Sequence, residues 1–399
     1  MSAGKNGNRI EVDTKGERMK RRFMLGALVV LMGVLVAGCG GSSKSSSGET
    51  DKGGEGGAKA KVTLQLKWVT QAQFAGYYAA KAKGYYSQAG LDVNLKVGGP
   101  TITPEQVVLG KQAEFGIDWV PSMLSFRDSG KKITQISQVF SRSGMTELTW
   151  KDSGITTIGK MRGKKVGVWC CGNEPELYAA LTKNGIDPKN KDHVTIVNQP
   201  FNMDLFLNRE VDAAAAMTYN ELAQVLETKN PRTGKLYKLS DLNVIKMEDA
   251  KKGAGTSMLE DEIFVRDDWI KDKKNQATAK KFLTASFKGW IYCRDHAADC
   301  VKIVLKNGSA LPGGHQKWMM NEINALIWPS KLGIGIADPT AFNRTAKIAK
   351  QFGIIKKAPS GAYRTDLARA AVAQLKAQGV DVYGKKWKKA NVKVTAGGK

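Results

Sequence analysis

The chain lacks the signatures of several common function classes. No glycine-rich phosphate fingerprint occurs. Gly333-Ile-Gly335 is a loop signal without the third glycine of a dinucleotide-binding turn. No internal repeat period appears, which argues against solenoids and propellers. Histidine is scarce, with only His193, His296 and His315, so histidine-rich metal centres have little material. Cys293, His296 and Cys300 have zinc-like spacing, but no fourth ligand is evident. We therefore expect no metal and no cofactor. The longest apolar run, Phe23–Ala37, falls short of the roughly 20 residues that cross a bilayer as a helix. No long basic run is interleaved with aromatics, so the net charge of +25 does not carry a nucleic-acid reading.

What is present is an ordinary globular balance, 42% apolar and 25% charged, over 399 residues. Residues 1–22 contribute +4 and residues 385–399 contribute +6, leaving +15 on the rest. Such a surface suits anionic envelope polymers or lipid head groups, or serves solubility alone. Lys20, Arg21 and Arg22 precede the apolar run as the positive region of a signal peptide. The run ends in Val36-Ala37-Gly38-Cys39, which resembles the bacterial lipobox. That resemblance implies cleavage before Cys39 and acylation of it. Each buried CH₂ of an acyl chain adds about 0.8 kcal/mol of membrane affinity. Residues 40–60 have almost nothing apolar and read as a flexible tether.

Beyond the tether, strand and helix patterns alternate. Val62–Trp68 and Leu91–Val97 alternate as strands, and a helix from about Gln73 to Lys83 lies between them. Pro104–Leu109 reads as a helix capped by Thr103, Phe115–Asp118 as a short strand, Val120–Arg127 as a helix and Ile133–Phe140 as a strand. A second set follows Gly154, with strands at Lys164–Trp169, Val194–Val197 and Val211–Met217, and helices from Glu174 and Glu221. Leu259–Val265 is strand-like, and the chain from Lys271 onward is mostly helical. The expected fold is α/β and bilobal, with largely parallel sheets, a hinge and a central cleft at the carboxyl ends of the strands. Its expected organisation is a signal peptide over 1–38, the anchor and tether over 39–60, and lobe one over 61–152. Lobe two covers 153–256, a return to lobe one with a helical part covers 257–384, and a basic tail covers 385–399.

On a continuous helix, Cys293 and Cys300 would stand about 10.5 Å apart in rise, beyond the roughly 7 Å reach of a bridge. A disulfide therefore needs a break at Arg294-Asp295-His296, where Asp295 can cap a second helix. A bridge and free thiols both remain open. Cys170 and Cys171 are adjacent, where bridges are strained and rare.

Several segments carry a family resemblance. They are Leu64–Trp68 with Gln71–Tyr78, Ala82–Tyr86 with Ala89–Val93, Phe115–Trp119, Lys165–Trp169 with Gly172–Glu174, and Met217–Glu221. In this order the chain resembles the periplasmic-binding-protein type II group. That group includes receptors of ABC importers for thiamine pyrimidine precursors, riboflavin and alkanesulfonates, and the fungal thiamine-pyrimidine synthase is its relative. The resemblance covers roughly Lys61 to Trp290. It implies a monomeric solute-binding lipoprotein on the outer face of the cell membrane, with a small-molecule ligand and ABC permease subunits as partners. The fungal enzyme needs a first-lobe histidine that this chain does not have, so no enzymatic activity is expected.

The candidate ligand residues follow from strand ends and from the resemblance. Trp68, Trp119 and Trp169 sit at the ends of three strands, where rings can box a flat ligand; core packing is the competing reading. Gln71 and Gln73 offer uncharged amides, and Tyr77 lies four residues past Gln73 on one helical face. Asp118 is a ligand contact or a helix cap. Asn173 and Glu174 open a helix whose free N–H groups suit a carbonyl or anionic group. In pyrimidine-binding relatives a second-lobe acid meets the ring amine, and Glu221 matches it, with Tyr219 beside it; the alternative for Glu221 is a first-turn acid meeting the helix dipole. A heterocyclic nutrient is the leading ligand, and a sulfonate or taurine-type oxyanion the alternative. Mass spectrometry of the membrane-extracted protein should find a mature chain that begins at acylated Cys39; a retained leader without an acyl group removes the anchor.

Overall fold

The computed structural model describes residues 58–399. The signal peptide, Cys39 and nearly all of the tether lie outside the described residues. The first lobe opens with β1 (Ala60–Gln65), α1 (Ala75–Ala82), α2 (Tyr85–Gln88) and β2 (Leu91–Lys96). It continues with α3 (Pro104–Leu109), β3 (Phe115–Asp118), α4 (Val120–Asp128) and β4 (Ile133–Gln138). The second lobe holds β5 (Met145–Trp150), β6 (Lys165–Val168), α5 (Pro175–Lys183), β7 (Thr195–Asn198), α6 (Asp204–Leu207), β8 (Ala213–Met217), α7 (Glu221–Leu226) and β9 (Leu242–Lys246). The chain then returns through β10 (Glu262–Arg266) and α8 (Asp267–Ile270). Five longer helices follow: α9 (Lys273–Asp295), α10 (Ala297–Lys306), α11 (Gly313–Ile327), α12 (Pro339–Gln351) and α13 (Asp366–Ala377).

The two sheets share one plan. Their strand orders are β2-β1-β3-β10-β4 and β7-β6-β8-β5-β9. In each, one strand runs antiparallel to its two neighbours, β10 in the first and β5 in the second. These are the strands by which the chain enters each lobe from the other, so they arrive from the opposite direction. The sheets are therefore mixed and not largely parallel. Met145–Trp150 had no strand reading in sequence and was placed in lobe one. All six of its residues are buried, and it lies between β8 and β9 in the second sheet. Both crossings of the chain between lobes lie next to this strand and β10.

Helices cover both faces of each sheet. Phe115 stacks on Phe282 of α9 at 4.1 Å, and Tyr86 of α2 stacks on the same ring at 5.5 Å. Asp272 starts α9 by accepting from the backbone N–H groups of Lys274 and Asn275. The break after α9 falls at His296, and Cys293 and Cys300 are joined across it. Asp295 does not cap the second helix as expected. Its carboxylate accepts from Arg294 instead, and no side-chain cap opens α10. Thr103 likewise occupies the position before α3 without a side-chain cap bond. Cys170 and Cys171 are paired as neighbours, against the expectation for adjacent cysteines, in a loop where Cys171 has a φ of 68°.

The tightest helix contact is between α1 and α9. A Cβ on Gly76 would stand 2.2 Å from the Trp290 indole, and one on Gly289 would stand 2.0 Å from the Gly76 carbonyl oxygen. Only hydrogen fits at both positions. Gly289→Ala should therefore destabilise the protein by about 1–3 kcal/mol through overpacking, read as a lower urea midpoint; an unchanged midpoint means the helices separate freely.

Candidate functional site

The carboxyl ends of the parallel strands converge on one cleft between the lobes. Lys67 and Trp68 follow β1, Gln71 and Gln73 lie in the turn before α1, and Trp119 follows β3. From the other lobe come Trp169 after β6, Asn173 before α5, and Met217, Tyr219, Asn220 and Glu221 at the end of β8 and the start of α7. α/β sheets present ligand sites at such strand ends.

The rings meet across the cleft. Trp68 lies edge-on to Trp169 at 6.5 Å and 71°, and tilts against Phe201 at 6.4 Å. A polar chain runs beneath them. Gln71 Nε2 donates to Gln73 Oε1 at 2.7 Å, and Gln73 Nε2 donates to Asp261 Oδ2 at 2.9 Å. Trp119 Nε1 donates to Asp261 Oδ1 at 3.1 Å. Lys67 is ion-paired with Asp118 and lies 4.8 Å from the Trp119 ring centre. Two buried polar atoms of lining residues have no protein partner, the Trp169 indole Nε1 and the Gln71 carbonyl Oε1. A buried polar atom left unpaired costs about 1–3 kcal/mol.

The structure brings together Trp68, Gln71, Gln73, Trp119, Trp169, Asn173, Tyr219 and Glu221 of the expected residues. Three others stand elsewhere. Tyr77 is buried edge-on against Trp290 at 5.6 Å. The four-residue spacing from Gln73 does not put them on one helical face, because Gln73 sits in a 3₁₀ turn that ends before α1 begins. Asp118 is buried with Lys67 and accepts from the Trp119 backbone N–H; it does not cap α4, whose N-cap position is Trp119 and which has no side-chain cap bond. Glu174 braces its own loop by accepting from the N–H groups of Cys171 and Gly172 at 3.0 and 2.9 Å. Asn173 also holds that loop, donating to the Cys170 carbonyl at 2.7 Å.

Lys67, Met217 and Asn220 line the cleft without having been singled out. Lys67 and Asn220 are sequence neighbours of chosen residues, so adjacency was the available signal. Asp261 had none: it sits in the run Glu260-Asp261-Glu262, which looks like a solvated acidic stretch yet is wholly buried.

Two carboxyls here are displaced upward. Glu221 is pushed to about 8 by burial, although Met217 N–H and Asn220 Nδ2 donate to it at 2.9 and 2.7 Å. Asp261 is pushed to about 7 by burial, against the hydrogen bond from Gln73. In a near-neutral medium Glu221 is thus mostly protonated and Asp261 about half so.

A likeness in fold extends to solved structures. A Bordetella bronchiseptica protein matches with a TM-score of 0.61 at 15% identity, over 80% of this chain and 99% of that one. The periplasmic aliphatic sulphonate binding protein of Escherichia coli matches at 0.56 and 13%, over 84% and 94%. The periplasmic nitrate-binding protein of Synechocystis matches at 0.55 and 14%, over 82% and 92%. The protein is thus a two-lobed α/β clamp of the periplasmic-binding-protein fold. Residues 71–299, more than half of the chain, match the family described as NMT1/THI5 like, and the chain belongs to that family. A Haemophilus influenzae protein named for thiamine biosynthesis is 24% identical over 170 residues, 42% of this chain. The chain spans about half the length of that relative, 54%.

Raised carboxyl pKa values make stability depend on pH with a definite sign. The unfolded Glu221 titrates near 4.5 and the folded one near 8, so its contribution is complete below the unfolded value and is lost as pH rises through the folded one. The wild type should melt lower at about pH 9 than at about pH 5. Glu221→Gln should remove part of that difference; an equal difference in the variant means Glu221 does not titrate in this window.

Proposed function

We propose that the protein is the extracytoplasmic solute-binding component of an ABC importer, and that its cleft takes a small, flat, neutral or weakly cationic heterocycle. A thiamine pyrimidine precursor or a riboflavin-like ring has the right chemistry. The observation that carries this reading is the polar balance of the cleft. Among its lining residues Lys67 is the one cation, and Asp118 neutralises it. Glu221 lies in the wall and Asp261 just behind it, both buried. An oxyanion would meet carboxyls and a lysine already paired. A ring carrying an acceptor for the Trp169 N–H and a donor for the Gln71 carbonyl meets what is unpaired. The wall tryptophans supply stacking faces. The thiamine-related name of the Haemophilus influenzae relative points the same way.

The sulfonate and nitrate receptors of like fold keep an oxyanion ligand as the second reading. Closure of the lobes on the ligand would form the surface that a permease reads. A lipid anchor at Cys39 would hold this monomeric receptor at the outer face of the membrane. The reading involves no catalysis.

Titration calorimetry with the hydroxymethyl aminopyrimidine precursor of thiamine, riboflavin, an alkanesulfonate and nitrate tests the proposal. A heterocycle should bind and the oxyanions should not. Trp68→Ala should weaken that binding about tenfold or more, about 1.4 kcal/mol, with little change in melting temperature. Binding of oxyanions alone overturns the ligand class, and unchanged affinity in the variant removes Trp68 from the site.

A further inference from the structure

Residues 387–399, most of the basic tail expected over 385–399, are folded back onto the body of the protein. Asn321 of α11 clamps its backbone on both sides: Asn321 Nδ2 donates to the Ala390 carbonyl and Oδ1 accepts from the Ala390 N–H, each at 2.9 Å. Lys389 pairs with Glu322 one residue further along α11. Val394 then packs into the second-lobe cluster that contains Leu222, Val225 and Leu226 of α7. Gly397 N–H donates to the Glu227 carbonyl at the end of α7 at 2.9 Å. Gly398 is buried there with a φ of +67°, and a Cβ on it would stand 2.9 Å from both Glu227 Oε2 and His315 Cβ.

From this docking point a line of hydrogen bonds leads to the cleft. The Glu227 carboxylate meets His315 Nδ1 at 2.9 Å, and His315 Nε2 meets Asn220 Oδ1 at 3.0 Å. Asn220 Nδ2 donates to Glu221 Oε1 at 2.7 Å. His315 is fully buried on α11. That helix also reaches the first lobe, where Gln316 Oε1 accepts from the Ala72 N–H at 2.7 Å. So α11 touches the first lobe directly, while the segment pulls α7 of the second lobe against it.

We propose that residues 387–399 form a strap that holds α7 against α11, and that His315 is a positioning residue through which this docking fixes Asn220 and Glu221 at the cleft wall. The strap opposes parting of the lobes. Its release sets how fast a bound solute leaves. The inference rests on the cleft reading above only where a ligand is used to measure it.

The test compares the full chain with a variant lacking residues 390–399. Without ligand, backbone amides of residues 221–227 should exchange hydrogen about tenfold faster in the deletion variant, because the local opening they need is no longer held shut. With the hydroxymethyl aminopyrimidine precursor of thiamine, dissociation should speed up about tenfold while association stays within about twofold. His315→Gln should reproduce the faster dissociation with the strap still in place. Gly398→Val, whose side chain fits neither the backbone conformation nor the space, gives the same readings should the deletion variant not fold. Unchanged exchange over 221–227 overturns the strap. Faster exchange without any binding of the pyrimidine upholds the strap and refutes the proposed ligand.

Discussion

One buried carboxyl ties the two chain crossings together. Glu260, on the way back to the first lobe, accepts at 2.8 Å from the N–H of Gly144, on the way out, and at 3.1 Å from that of Met145. The Ser143 hydroxyl lies 2.8 Å from the same oxygen and 2.8 Å from Glu176 Oε1 of α5, bridging the two carboxyls. Burial, with Glu176 close by, holds Glu260 well above the usual carboxylate range. Arg142 extends the knot by donating to the Leu326 carbonyl in the last turn of α11 and to the Pro329 carbonyl beyond it. The facing of the two sheets depends on this junction. Each lobe could fold around its own sheet, but the cleft exists only if the strand ends of one face those of the other.

The cleft inherits its character from that facing. Its aromatic rings come from loops that leave parallel strands, so they need no special local conformation to point inward. Its carboxyls Glu221 and Asp261 hold their protons to higher pH than free ones because they are buried, and burial disfavours the charged form. The same burial leaves the Trp169 indole N–H and the Gln71 carbonyl without a protein partner.

Much of the fold was legible in local patterns. Phe115–Asp118 and Pro104–Leu109 were bounded to the residue, because a short apolar run between turns and a proline at the first helical position are strong signals. Met145–Trp150 was missed because a strand buried on both faces loses the alternation that marks a half-exposed one. Eight of the eleven candidate ligand residues line the cleft because strand ends and adjacent loops can be located from pattern. Tyr77 was misplaced because a 3₁₀ turn shifted the helical phase. Glu174 was misplaced because a side chain can satisfy its own loop as readily as a ligand.

Sequence alone determined the α/β class, the two sets of elements and the short list of strand-end rings, since these follow from periodicity and turn chemistry within a few residues. Only the tertiary structure decided that Asp261 backs the cleft, that Lys67 is neutralised, that Asn220 answers to His315 and that the lysine-rich end is a docked strap. Those facts are contacts between residues 51 to 188 positions apart. No local pattern encodes which distant partner will remove a group from water, and that removal sets its charge and its role.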